Sequence, residues 1–205
     1  MSDTMEEKKN EREESTEVNK EKEGNDAEKK NSLAMDILQN SIFLLVVLII
    51  TLILVKYVGQ RTVVVGHSME PTLYNGDNLI VDKISYRFRD PKRFEIIVFP
   101  FEHKDETYYI KRVIGLPGET VRIDENGVIY INEKELSENY GAEVIEDPGL
   151  ALESITLGPG EFFVLGDNRN HSSDSRVPSV GLIHKEDIIG RAWVRIYPFN
   201  KMGGF

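Results

Sequence analysis

The run Thr62-Val63-Val64-Val65-Gly66-His67-Ser68-Met69-Glu70-Pro71-Thr72-Leu73 changes character midway. Its first four residues are all β-branched and read as a strand. Gly66 lets the backbone pass close to a neighbour, and Pro71 stops a helix from running through the segment. Ser68 therefore sits where an extended strand breaks into a turn, a place that exposes a hydroxyl instead of burying it. Most serines in such places bond to nearby backbone, so this one gains meaning only from its company elsewhere in the chain.

Towards the C-terminus the sequence becomes a series of short β-rich runs separated by Gly, Pro, Asn and Asp. Residues 78–88 (NLIVDKISYRF), 95–102 (EIIVFPFE), 107–116 (TYYIKRVIGL), 161–165 and 188–197 (IIGRAWVRIY) all read as strands. Asn126-Gly127, set between VRI and VIYI, marks a hairpin. Residues 137–156 are acidic and poorly patterned and suit a mobile loop, so a small hairpin and loop insertion is expected over about residues 120–160. No helical period of useful length and no internal repeat follows residue 58. Residues 59–205 are read as one all-β domain of antiparallel sheets around a single core.

Towards the N-terminus, residues 41–55 read SIFLLVVLIITLILV without one charge. With its flanks the apolar segment covers residues 33–58, interrupted only by Asp36, Gln39, Asn40 and Lys56 near its ends. At 1.5 Å per residue such a helix crosses a hydrocarbon core of roughly 30 Å. A buried core helix would not be apolar all round at this length. A cleaved leader would not begin with a long acidic tail, and residues 56–61 (KYVGQR) offer no small-x-small site. One N-terminal transmembrane anchor is the reading. Lys29 and Lys30 on one side balance Lys56 and Arg61 on the other, so charge counting leaves the orientation open. Residues 1–32 are almost entirely Glu, Lys, Asn, Ser and Asp, too polar to repay the entropy of ordering, and are expected to be a disordered acidic tail. The net charge of −10 with no basic stripe argues against nucleic acid. The absence of cysteine removes disulfides, thiolate catalysis and Cys-based zinc sites.

Two further places carry chemistry. In the strand around Lys111 both faces are apolar, so at least one of Lys111 and Arg112 is pressed against apolar surface. Arginine cannot usefully give up its proton, whereas burial can lower a lysine from its ordinary pKa near 10.4 until the neutral amine accepts a proton from a serine hydroxyl. A snorkelling or ion-paired lysine is the plain alternative. The second place is the polar run Gly166-Asp167-Asn168-Arg169-Asn170-His171-Ser172-Ser173-Asp174-Ser175-Arg176, either a solvated loop or a wired network that orients a catalytic group. A Ser-His-Asp arrangement would use His171 with Asp167 or Asp174, since His67 neighbours Ser68 and points to the opposite face. His103 and His184 read as surface residues, and four scattered histidines show no zinc spacing.

Ser68-Met69-Glu70-Pro71-Thr72-Leu73, then residues 109–118 (YIKRVIGLPG), then Gly166-Asp167-Asn168-Arg169 with Ser172, Asp174, Ser175 and Arg176 fall in the order of the type I signal peptidase boxes. The chain resembles that family over roughly residues 37–200, in its single-anchor, Gram-positive-like form. The resemblance implies Ser68 as nucleophile and Lys111 as general base, with Ser172 orienting the lysine. Asp174 and Arg176 would form a supporting ion pair, and Asp167 would be another structural acid. It implies no cofactor and no metal. It also implies a monomer whose tail is cytoplasmic and whose catalytic domain is extracytoplasmic at the cell membrane. The partners would be the lipid bilayer and signal-peptide-bearing preproteins, cut after a small-x-small sequence through an acyl-enzyme. Some members carry a serine two residues before the nucleophile as an oxyanion donor; here that position is Gly66. Two rival classes are a tethered β domain that binds secretory partners without cutting, and a self-cleaving Ser/Lys regulator. The regulator would need a cleavable segment of its own and usually a DNA-binding domain.

Overall fold

The structure, a computed structural model, describes residues 35–52, 59–101 and 108–205. The expected acidic tail, both ends of the expected anchor, and His103 lie outside the described residues. The chain divides into two units, one containing helix α1 and the other containing the strands.

Helix α1, Met35–Leu52, has a mean hydropathy of 2.1 over 18 residues. Its apolar side chains are exposed along its whole described length, Phe43 and Leu44 each at 66%. The Ser41 and Thr51 hydroxyls donate back to the Ile37 and Val47 carbonyls at 2.7 and 2.8 Å, which satisfies them without water. Eighteen residues of α-helix reach about 27 Å, close to the thickness of a hydrocarbon core.

The second unit holds two antiparallel sheets. The larger contains β1 (Gly59–Val63), β2 (Asn78–Asp82), β3 (Ile96–Pro100), β4 (Tyr108–Gly115), β9 (Glu161–Leu165), β10 (Ile183–His184), β11 (Gly190–Tyr197) and β12 (Gly203–Gly204). Its order is β1-β2-β11-β3-β4-β9-β10, with β12 on β11. The smaller contains β5 (Thr120–Ile123), β6 (Ile129–Ile131), β7 (Lys134–Glu135) and β8 (Ile155–Thr156), in the order β7-β6-β5-β8. β5 and β6 meet through the Asn126-Gly127 turn, with Ile123 opposite Ile129.

Three apolar clusters fix these sheets. Ile114, Val121, Ile123, Ile129, Ile131, Phe163 and Leu165 join the small sheet to β4 and β9. Ile97, Phe99, Val113, Phe162 and Val164 form a second cluster. Val64, Met69, Leu73, Leu79, Ile96 and Ala192 form the third, beneath the segment that carries Ser68. β3 reads as an unbroken apolar run because its first four residues are buried, and the second half of β4 is equally buried although it includes Arg112.

Three sequence readings need adjustment. The strand expected over residues 62–65 is the end of β1, which stops at Val63. Residues 78–88 are not one strand: after Asp82 its carboxylate accepts the N–H groups of Ile84 and Ser85, both at 3.0 Å, and bends the chain into a 3-10 helix, Ser85–Arg87. Residues 137–156, read as a mobile loop, instead pack against the polar run. Ala142 N–H donates to Asp167 O at 2.9 Å and Leu150 N–H to Arg176 O at 2.8 Å. Ile145 and Ala151 are buried beneath the exposed Glu143, Glu146 and Asp147.

Candidate active site

Ser68 is positioned by its neighbours' burial. Met69 and Leu73 point into the third cluster with 1% and 0% exposure, leaving half-buried Ser68 on the opposite side of a turn. The turn is closed by Glu70 N–H to His67 O at 3.2 Å. Asn168 clamps it from outside, its N–H donating to Ser68 O at 3.0 Å and its Nδ2 to His67 O at 3.1 Å. Gly166 makes this approach possible, since a Cβ there would collide with Ser68 O and Ser172 Oγ. The Ser68 N–H has no partner among the described residues and stays available to an incoming oxygen.

Lys111 reaches the same point from β4. Its Nζ lies 2.8 Å from Ser68 Oγ and donates to Ile110 O at 3.0 Å. It sits 4.9 Å from the centroid of the Tyr109 ring. Only 3% of the residue is exposed. Burial pushes its amine down to about 8, against the pull of Asp174 and Asp167, which favour the charged form. With that value about one lysine in ten is neutral at pH 7, against fewer than one in a thousand for a solvated one.

The polar run is a wired network. Asp167 is fully buried and takes a two-point bond from Arg112, Nε at 2.8 Å and Nη2 at 2.6 Å. Asp174, equally buried, is bonded by Arg176 through Nε at 2.8 Å and Nη2 at 2.9 Å, and accepts Gly166 N–H at 3.0 Å. Arg112 is itself sealed by the Tyr140 ring, 3.7 Å from its Cζ. Both cations of the Lys111-Arg112 pair are thus buried, each with a different partner. Ser172 departs from expectation: its buried Oγ has no partner among the described residues, and Lys111 bonds Ile110 O instead. The structure does not assemble a histidine triad. Among the described residues no histidine bonds Ser68 Oγ; His171 is exposed, and His67 pairs with Glu70 at 2.8 Å.

Sequence reasoning missed Asn168 as a clamp, Arg112 as the partner of Asp167, and Tyr140. Asn168 stood inside a quoted motif, but an asparagine beside an aspartate signals only a turn. Tyr140 lay in the stretch read as loop and carried no signal.

A hydroxyl in contact with a buried amine of lowered pKa has the chemistry of a nucleophile beside its base. The family model described as "Signal peptidase, peptidase S26" matches residues 34–197. Signal peptidase I of Leptolyngbya laminosa is 42% identical over 154 residues, 72% of this chain and 73% of that one. Signal peptidase I P of Bacillus subtilis subsp. natto is 35% identical over 166 residues, covering 78% and 88% of the two chains. A crystal structure of a signal peptidase I from Enterococcus faecalis V583 matches with a TM-score of 0.40 and 35% identity, over 50% of this chain and 97% of that one. This chain belongs to the signal peptidase family, peptidase S26. It is a hydrolase of that family, and α1 is long and apolar enough to cross a membrane.

Proposed function

We propose that this enzyme removes N-terminal signal peptides from exported preproteins by a Ser68/Lys111 acyl-enzyme route. The observation that carries the reading is the 2.8 Å contact between Ser68 Oγ and the buried Lys111 amine. Neutral Lys111 takes the Ser68 proton while Oγ attacks the carbonyl carbon before the cut. The resulting oxyanion would take the Ser68 N–H, which has no partner among the described residues. The C–N bond breaks as the Lys111 ammonium gives its proton to the leaving amine, and the ester remains on Ser68. Lys111 then takes a proton from water, the hydroxide attacks the ester, and Ser68 Oγ leaves with the proton restored.

The arginines give this chemistry its electrostatics. Asp167 and Asp174 pull Lys111 towards its charged form and burial outweighs them, while Arg112 and Arg176 neutralise the two carboxylates through two-point bonds. Ser172 as the orienting partner of the lysine rests on the family resemblance alone. So does the preference for small residues before the cut. A cleft of about 380 Å³ on the larger sheet is lined by Gln60, Thr62, Val81, Lys83, Val98, Tyr108 and Ile189. The catalytic unit would lie outside the cytoplasm, where exported substrates present their cut site, and the tail inside.

The test is cleavage of a labelled preprotein by the full-length enzyme in detergent. Ser68→Ala and Lys111→Met should each lower kcat/KM by on the order of 10⁴-fold or more. Near-normal cleavage by either variant would contradict the reading. Binding without any cutting by the parent enzyme would favour a tethered recognition domain.

A further inference from the structure

The loop joining β1 to β2 carries Ser68, and its neck is tied by backbone: Val64 N–H to Asp77 O at 2.8 Å, and Gly76 N–H to Val64 O at 2.9 Å. Past the neck the ladder stops at Gly66. Gly66 has φ +99°, in the left-handed region, and a Cβ built on it would meet nothing within 4 Å. It is therefore a glycine by conformation, not by crowding. With no side chain to pack, it is the least restrained residue between the neck and the nucleophile. One contact holds it among the described residues: its N–H donates to Asn75 Oδ1 at 3.0 Å.

Asn75 stands on a fixed post. Asp77 N–H donates to Tyr74 O at 3.0 Å, and Tyr74 N–H donates to Asp77 Oδ2 at the same distance. Arg195 of β11 bonds Asp77 Oδ2 at 2.8 Å and Thr72 O at 3.0 Å. Lys201 Nζ lies 4.0 Å from the centroid of the Tyr74 ring. The carbonyls beyond Gly66 are already held by Asn168, so the Val65–Gly66 peptide is the remaining place where the Ser68 strand can pivot.

We propose that Asn75 is a positioning residue that latches the Gly66 hinge and so fixes the approach of Ser68 and its N–H to the scissile carbonyl. The inference rests on Ser68 as the nucleophile. The latch offers backbone restraint at position 66, where some relatives place a serine side chain.

The experiment measures kcat, KM and Tm of the full-length enzyme in detergent with a synthetic signal-peptide substrate. The variants are Asn75→Ala, Asn75→Asp and Ser68→Ala. Asn75→Ala should lower kcat about threefold to tenfold, with KM within about twofold and an unchanged Tm. Asn75→Asp keeps an acceptor oxygen for the Gly66 N–H and should recover most of the loss. A kcat for Asn75→Ala equal to the parent's, or an aspartate no better than alanine, overturns the latch. A Ser68→Ala enzyme that still cuts overturns the nucleophile itself, whatever the Asn75 variants do.

Discussion

At position 111 the fold places a lysine that is costly to keep charged. Burial lowers its folded-state value to about 8 from 10.5, so between those values the unfolded chain binds the proton and the folded one does not. Stability therefore rises with pH across that window. Below it, the enzyme carries the full cost of a buried ammonium, roughly 3 kcal/mol. Lys111→Met should accordingly raise Tm at pH 7, with a gain in unfolding free energy of up to about that cost less the hydrogen bonds lost, while abolishing cleavage. The gain should shrink as pH rises from about 8 and be gone above 10.5. A thermal melt at pH 7 and at alkaline pH checks this; a methionine variant less stable at pH 7 would contradict it. Arg176 makes the complementary case. Arg176→Met strands a buried Asp174 carboxylate, which should cost roughly 3–5 kcal/mol in a denaturant titration. The unpaired carboxylate would also favour the charged lysine, so the rising limb of activity should move to higher pH.

The element that matters most is the turn between β1 and β2, and its stability is borrowed from the core. Leu73 is fully buried beside Met69 in the cluster under Ser68. Leu73→Ala should lower stability by roughly 2–5 kcal/mol and reduce kcat even in the folded fraction, because the floor of the turn collapses. A denaturant titration paired with active-site counting separates the two effects. These dependencies also show what could be read from the chain in advance. Strands β3, β4, β9 and β11 were legible because they are rich in β-branched and aromatic residues and bounded by Gly, Pro or charged residues. The meeting of Ser68 with Lys111, 43 positions apart, was legible only through the resemblance; alternation along β4 could say that a cation was buried but not which partner it reached. Asn75, Asn168 and Tyr140 were not legible, since each acts through backbone or ring contacts that depend on register and loop path. The packing of residues 137–156 was missed because two apolar anchors, Ile145 and Ala151, are hidden among acids that dominate the local composition.

On the scale of the whole molecule, an apolar helix and a β-rich hydrolase unit share one chain, and the physical consequence is concentration. An enzyme held at a membrane by such a helix would share one surface with a membrane-borne substrate, which raises their effective concentration without any new contact. Residues 59–205 produced alone should therefore cut a short soluble peptide with a kcat near that of the full chain, yet process a membrane-inserted preprotein at least tenfold more slowly at equal concentration. Equal processing by both forms would leave the anchor without a kinetic part. The proposed chemistry depends on a neutral lysine that activates Ser68. Its most direct test is the pH dependence of kcat/KM for the full-length enzyme. The rate should rise through a single proton loss near 8, the value burial gives Lys111. A limb near 6.5 that disappears in His171→Ala would contradict it.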